Sequence, residues 1–184
     1  MSYVNPNERL KELGIHLPPP CKAAGNYRPA VVCGNLLYVS GHTPDDARPE
    51  HFVADLTKWC PGQVGVGGSV TPNQAYDGAR DTGLAILATV QAALRDLANV
   101  KRLVWATGQI ACTSDFTEHP SVMNGFSDLM AQVFGEENGI GGRCVTGASS
   151  LAGNMPVEVT MCIFEIAGSS AGPMQFIEDA DAFR

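Results

Sequence analysis

Arg143 and Glu158 are the residues of this sequence best suited to bind an anion and to move a proton. Both lie in the segment GGRCVTGASSLAGNMPVEVTMCIFE, residues 141–165. Arg143 is its first charged residue, and Glu158 is the next. A guanidinium keeps its charge in proteins, so an arginine that is buried or lines a cleft requires an anion. In one interpretation that anion is the carboxylate of a ligand, and Glu158 transfers protons. In the other, the anion is Glu158 itself, which pairs with Arg143 as a structural partner. The residue pattern leaves both interpretations open.

Two further side chains have types that can serve catalysis. His42 follows an apolar run in VSGHTP, where it could act as a general base. A histidine at a strand end more often hydrogen-bonds a neighbouring loop, and this is the favoured interpretation. Cys144 lies beside Arg143 and could be an activated nucleophile. Strand alternation places it on the opposite face from Arg143, which favours a packed core thiol.

Composition excludes several classes of function. The chain has 184 residues, of which 45% are hydrophobic and 17% charged, as expected of one compact domain. Its net charge of −7 argues against nucleic-acid binding. The six cysteines form no CxxC pair and no histidine stands at metal-ligand spacing, so we expect neither disulfides nor a metal. No apolar run reaches the roughly 18 residues that cross a bilayer, and we expect a cytoplasmic protein without a membrane partner.

Common catalytic motifs are missing from the sequence. It contains no GxSxG, no P-loop and no HExxH. The glycines of VGVGGS precede a predicted helix, but no lysine follows them, so a flexible turn is favoured over a phosphate-binding loop. A site built on Arg143 and Glu158 therefore has to be recognised from the elements that position these two residues.

Hydrophobic periodicity and turn residues predict the element order β-β-α-β-α-β-β after a short N-terminal helix. Thr71 and Gln74 form a capping box ahead of the long amphipathic helix, and Asp115 is predicted to cap the next helix, with an interruption near Pro120 and an end at Gly135. The predicted helices cover 6–13, 71–97 and 115–135, and the predicted strands cover 30–33, 36–41, 63–66, 103–112, 143–149 and 155–166.

This order describes an α+β domain with a mixed sheet and both main helices on one face. The other face carries apolar residues, so a homo-oligomer that covers it is expected. If the strands at 143–149 and 155–166 pair through the LAGN turn, Arg143 and Glu158 approach the same cleft. Residues 43–70, rich in Pro and Gly, form a long excursion of the kind that often borders a site.

Three segments, AGNYRPAVVCGNLLYVSGHTP, FTEHPSVMNGFSDLMAQVFG and GGRCVTGASSLAGNMPVEVTMCIFE, together resemble the Rid family of reactive imine and enamine deaminases, also called YjgF-like proteins. The resemblance runs over about residues 25–166 and is closest to a longer branch with an ERLKELG-like N-terminal helix. It implies a chorismate-mutase-like fold and a homotrimer with clefts between subunits. The expected divisions are 1–24 for the helix and Pro-rich connector, 25–167 for the Rid-like domain and 168–184 for an acidic tail.

The resemblance also implies roles for individual residues. Arg143 matches the arginine that binds the substrate carboxylate, and Glu158 matches the glutamate that positions or activates water. Tyr27, Gly41 and Asn124 match residues that bind the substrate, and Asn124 does so by reaching the neighbouring cleft. No cofactor is implied, because the imine is itself reactive.

Some positions depart from the family pattern. His42, expected among the substrate-binding residues, replaces the usual glutamine, Arg28 stands where a small polar residue is usual, and Thr160 replaces a second acidic residue. The expected function is hydrolysis of small amino-acid-derived imines to 2-oxo acids and ammonia. Two alternatives remain: a pathway-specific tautomerase or cyclase that uses His42 as acid or base, and a non-catalytic module that binds a keto acid.

Overall fold

The computed structural model describes residues 5–47, 62–65 and 68–167. The expected acidic tail at 168–184 and residues 48–61 of the long excursion lie outside this part of the chain. The helices are α1 Pro6–Glu12, α2 Pro72–Leu94, α3 His119–Phe134 and the short α4 Glu136–Gly139. The strands are β1 Ala30–Cys33, β2 Leu36–Val39, β3 Val100–Ala111, β4 Gly142–Ala148 and β5 Val157–Ile166.

The predicted α+β order is therefore confirmed, with α4 added between α3 and β4. Short 3₁₀ helices occupy Pro44–Ala47, Leu97–Asn99 and Ala152–Asn154. The strand predicted at 63–66 is reduced to single bridges from Val64 to Val70 and Cys112. None of the helices in the described ranges combines the length and the apolar character that a membrane span requires.

The five strands form one mixed sheet in the order β1-β2-β5-β3-β4. Only the β3–β4 pair of this sheet is parallel. The pairing of β4 with β5 that the LAGN turn would have allowed does not occur, because β3 lies between them. The backbone N–H of Ala111 donates to the Pro156 carbonyl and that of Cys112 donates to the Ala148 carbonyl. The end of β3 thus takes the hydrogen bonds that a β4–β5 hairpin would have used.

Both long helices cover one face of the sheet, as predicted, and the core lies between the two layers. The helices also approach each other closely, since Gly125 of α3 lies directly against the backbone carbonyl of Tyr76 in α2. A side chain at Gly125 would force the helices apart. The largest fully buried side chains of this core are Phe126, Phe164, Leu37, Ile86, Leu87, Leu97, Ile110, Met123, Leu129 and Met130.

The opposite face of the sheet has no helix on it among the described residues. Tyr38 and Trp105 are 37% and 39% exposed there. Cys144 shares this face, opposite Arg143 as alternation predicts. The prediction that it is a packed core thiol is wrong, since Cys144 is exposed.

The start of α3 differs from the prediction. The helix begins at His119, so Asp115 does not cap it, and Glu118 at the N-cap position makes no side-chain capping bond. Pro120 lies in the first turn and does not interrupt the helix. A proline is tolerated there because the first helical N–H groups have no partner within the helix.

The capping box at the start of α2 is present as predicted. The Gln74 N–H donates to Thr71 Oγ1 at 3.3 Å, and the Thr71 N–H donates to Gln74 Oε1 at 2.9 Å. Thr71→Ala is expected to lower the free energy of unfolding by about 1 kcal/mol, because one helix N–H loses its acceptor. Urea unfolding measures the change. Thr117→Ala, at an exposed position before α3, is the control, and equal effects of the two substitutions would contradict a capping role.

Candidate functional site

A groove of about 540 Å³ opens on the helix-free face of the sheet. It lies where β1, β2 and β5 run side by side, beside the backbone that follows β2. The groove therefore has an apolar floor and a few polar groups at one end, as small-molecule sites commonly do. Its lining residues are Tyr27, Val31, Tyr38, Val39, Ser40, Gly41, Glu158, Thr160 and Met161.

Glu158 is the acidic group of this groove. Val157 and Val159 are fully buried beneath the helices, so alternation directs the intervening Glu158 to the groove. Partial burial raises the pKa of the Glu158 carboxyl above its ordinary value, and the negative charge of Asp46 raises it further. A carboxyl with a raised pKa is suited to accept and return a proton near neutral pH.

Gly41 forms the surface against which this carboxylate lies. A Cβ added at Gly41 would be only 2.6 Å from Glu158 Oε1. Real Cβ atoms do not approach other atoms so closely, so any side chain here would displace the carboxylate. Glycine at this position therefore preserves the location of Glu158.

Tyr27 stands at the rim of the groove, just before β1. Its side chain is 48% exposed, and its hydroxyl accepts a hydrogen bond of 3.3 Å from the Ala24 N–H. The ring can therefore contact a ligand while its hydroxyl stays held at the turn. Tyr27, Gly41 and Glu158, three residues chosen from the sequence, thus line one groove.

Arg143 lies in a different place, at the edge strand β4 and on the face that carries the helices. One guanidinium nitrogen, Nη1, donates to Asn124 Oδ1 at 3.0 Å and to Ser127 Oγ at 2.9 Å, and Nη2 donates to the Pro120 carbonyl at 3.3 Å. Partial burial lowers the pKa of Arg143 from its ordinary value, opposed by the charge of Asp128. All three bonds go to neutral atoms, so α3 fixes the orientation of the guanidinium without neutralising it.

Sequence reasoning missed Ser127. It lies three positions after Asn124 on α3, and residues at this spacing share a helix face. The polar pair Asn124 and Ser127 within the apolar sequence VMNGFSDLM was the signal that could have found it.

Arg143 and Glu158 do not meet within one chain. They lie on opposite faces of the sheet, and β3 separates their strands. The expectation that both approach the same cleft through a β4–β5 hairpin is therefore wrong for a single copy, and so is the alternative that they pair with each other. One copy carries two separate half-sites, Arg143 with Asn124 and the groove with Glu158.

His42 is not at the groove surface. Its side chain is 1% exposed, and Nδ1 donates to the Ser40 carbonyl at 2.8 Å. In the neutral ring Nε2 then accepts a bond of 2.8 Å from Thr89 Oγ1 of α2. Burial lowers the pKa of His42, although the bond to Ser40 and the charge of Asp46 oppose this shift. The ring joins the groove wall to α2, which matches the structural interpretation of a strand-end histidine.

Among the described residues, no cluster of three or more His, Cys, Asp or Glu side chains could hold a metal ion. The two half-sites present a guanidinium, a carboxyl, an amide and hydroxyls. Such a set can bind a carboxylate and transfer protons.

The comparison with protein families matches a family model to residues 7–166. Its description is "YjgF/chorismate mutase-like, putative endoribonuclease". The chain belongs to this family. The matched range includes α1, whose Leu10 is part of the hydrophobic core. The fold is accordingly the YjgF-like fold, a mixed five-stranded sheet with its helices on one face.

Relatives within the YjgF-like family cover most of this chain. Protein TCP17 of Trypanosoma cruzi is 39% identical over 150 residues, which are 82% of this chain and 88% of that protein. The crystal structure of Atu1372 from Agrobacterium tumefaciens, a protein of unknown function, is 38% identical with a TM-score of 0.73, covering 88% of this chain and 92% of that one. A "putative endoribonuclease" from Shewanella oneidensis MR-1 is 27% identical with a TM-score of 0.76, covering 88% and 99%.

Proposed function

We propose that this YjgF-like protein hydrolyses small amino-acid-derived imines of the 2-aminoacrylate type to 2-oxo acids and ammonia, without a cofactor. The observation that carries the proposal is the guanidinium of Arg143, held by Asn124, Ser127 and a backbone carbonyl. An arginine oriented by neutral acceptors retains its charge for an anion, and a carboxylate matches its planar fork. The resemblance to the Rid family supports the same substrate class.

The reaction requires Arg143 and Glu158 at one cleft, so the cleft lies between two copies of the chain. Arg143 with Asn124 from one copy would face the groove with Tyr27, Gly41 and Glu158 of the next. The helix-free sheet face, with Tyr38 and Trp105 partly exposed, is apolar surface that association would cover. A closed homotrimer with three such clefts is the assembly that we propose.

The proposed chemistry uses binding, orientation and proton transfer. The Arg143 fork binds the substrate carboxylate and so fixes the C=N bond over the groove. Water oriented by the Glu158 carboxylate adds to the carbon of the protonated imine, while Glu158 takes a proton from the water. Glu158 returns that proton to the nitrogen of the carbinolamine. It then takes the hydroxyl proton as the C–N bond breaks, which releases ammonia and the 2-oxo acid.

Ribonuclease activity, which appears in the description of the family, is disfavoured. The chain carries a net charge of −7, and the groove contains Glu158 with the charge of Asp46 nearby. Phosphate backbones are bound mainly by Lys and Arg, and acidic groups repel them. The tautomerase alternative that relies on His42 has no support from the position of this buried ring.

The test is release of ammonia and 2-oxo acid from freshly generated 2-aminoacrylate, measured against the spontaneous rate. We expect the protein to accelerate release and Arg143→Ala to return it to the spontaneous rate. No acceleration would overturn the proposed function. Thermal stabilisation by a keto acid without any turnover would favour the binding-module alternative.

Gly41→Ala provides a prediction about the groove. The new Cβ would lie 2.6 Å from Glu158 Oε1, so the carboxylate must move. We expect kcat to fall about tenfold or more, because a small misplacement of an orienting group is costly to catalysis.

A double-mutant cycle distinguishes this cause from a general disturbance. Gly41→Ala added to Glu158→Asp, whose carboxylate is one methylene further from position 41, should cause much less than the full tenfold loss. A full additional tenfold loss in the double variant would show that Gly41 does not act through Glu158.

A further inference from the structure

Cys112 and His119 form a thiol–imidazole pair beside the Arg143 half-site, since Pro120, the residue after His119, accepts a hydrogen bond from Arg143. Cys112 directly follows β3 and His119 begins α3, and Cys112 Sγ lies 3.3 Å from His119 Nε2. Both side chains are half-buried, so solvent reaches the pair. A thiol in contact with an imidazole has a base available to take its proton, and the thiolate is the nucleophilic form of cysteine.

The surroundings of the pair hold the two groups together. A Cβ at Gly147 of β4 would lie 2.8 Å from His119 Nε2 and 2.9 Å from Cys112 Sγ, so only glycine leaves room for this contact. The ring of Phe116 packs edge to face on His119, with centroids 5.3 Å apart and planes at 82°. The Cys112 backbone N–H is fixed by its bond to the Ala148 carbonyl.

The other described cysteines lack this combination of exposure and base. Cys162 is fully buried, and burial strongly raises the pKa of its thiol. Cys21 lies 3.2 Å from His42 Nε2, but burial and the charge of Asp46 raise its pKa. Burial also lowers the pKa of His42, which makes that ring a poor proton acceptor.

We propose that Cys112 is a modification site for electrophilic α,β-unsaturated carbonyl compounds, with His119 as its base. His119 Nε2 takes the thiol proton, and the sulfur attacks the β-carbon of the electrophile. A new S–C bond forms as the C=C π bond breaks, and the resulting enolate takes the proton back at its α-carbon. Atoms and charge balance without a leaving group or a further reactant.

The test uses substoichiometric N-ethylmaleimide on the folded full chain, with the rate at each cysteine resolved by mass spectrometry. We expect Cys112 to react before the exposed Cys33. His119→Ala should slow labelling of Cys112 at least about tenfold, since a general base is typically worth about 10²- to 10⁴-fold. Slower labelling is diagnostic, since removal of a ring that merely shields the thiol would accelerate it.

Gly147→Ala is the second variant, because it separates the pair while keeping both reacting groups. Its Cβ displaces the imidazole, and labelling of Cys112 should again slow, with the rate at Cys33 unchanged. Labelling of the urea-unfolded chain gives the intrinsic rate of each cysteine, and the rates in the folded protein are divided by these values. Reaction of Cys112 no faster than Cys33, or faster labelling in either variant, would overturn the proposal.

Discussion

Arg143→Lys is expected to lower kcat/KM for imine hydrolysis about 10- to 100-fold. In the native side chain, Nη1 is bound by Asn124 and Ser127, and this fixes the plane of the guanidinium. A lysine ammonium is a point charge that cannot bond these acceptors and a carboxylate in the same geometry. The loss of one charge-assisted hydrogen bond, roughly 1.5–3 kcal/mol, corresponds to the expected decrease. Steady-state kinetics on freshly generated 2-aminoacrylate measure it.

Arg102→Lys is the matched control. Arg102 lies on β3 with 61% of its side chain exposed, and its Nε donates to Glu165 Oε2 at 2.8 Å. This exposed ion pair contributes little to stability, so the variant should keep normal turnover. Near-normal turnover of Arg143→Lys would contradict the proposal that the planar guanidinium anchors the substrate.

Locally encoded features of the fold could be predicted from the sequence. The capping box of Thr71 and Gln74 involves residues three positions apart, and the helix that follows it shows its own periodicity. The β1–β2 hairpin is similarly marked by Gly34, which adopts a positive φ of 62° at its turn. In each case the deciding interactions are made by neighbours along the chain.

Features that depend on distant partners could not be predicted in the same way. Nothing in the segment from Arg143 to Glu158 shows that β3 enters between the two strands, since that pairing is decided by a different part of the chain. The burial of His42 depends on Thr89 of α2, 47 positions away. Residue types singled out Arg143 and Glu158, and the family resemblance added Tyr27, Gly41 and Asn124. Long-range strand pairing determined that one chain separates Arg143 from Glu158.

Glu158→Gln is expected to abolish nearly all turnover, because an amide cannot take a proton from water. Burial and Asp46 raise the pKa of Glu158, so the activity of the native protein should fall with decreasing pH at a value above the ordinary glutamate pKa of about 4.3. The pH profile of kcat/KM measures this limb. Glu165→Gln, near the end of β5 and paired with Arg102, should leave both the rate and the limb unchanged.

Stability provides an independent check on the same carboxyl. Since its folded pKa is raised, the stability it contributes is fully present below the unfolded pKa and is lost as pH rises through the folded pKa. Above the folded pKa the Glu158 carboxyl is ionised and that contribution is lost, so Glu158→Gln should there slightly raise the free energy of unfolding relative to the native protein. Urea unfolding over a series of pH values measures the difference, and a stability difference that does not change in this direction as pH rises would contradict the raised pKa.

Mixing the two inactive variants tests whether one cleft uses residues from two copies. Arg143→Ala retains Glu158, and Glu158→Gln retains Arg143, so a mixed assembly brings intact residues together at some clefts. With equal and random mixing, about a quarter of the clefts would carry both, since half of the copies supply each residue. Co-expressed variants should therefore recover about a quarter of native turnover. If native mass spectrometry detects mixed oligomers that lack activity, the reaction does not combine residues of two copies. That result would contradict the shared cleft, which we infer because Arg143 and Glu158 lie on opposite faces of the sheet within one copy.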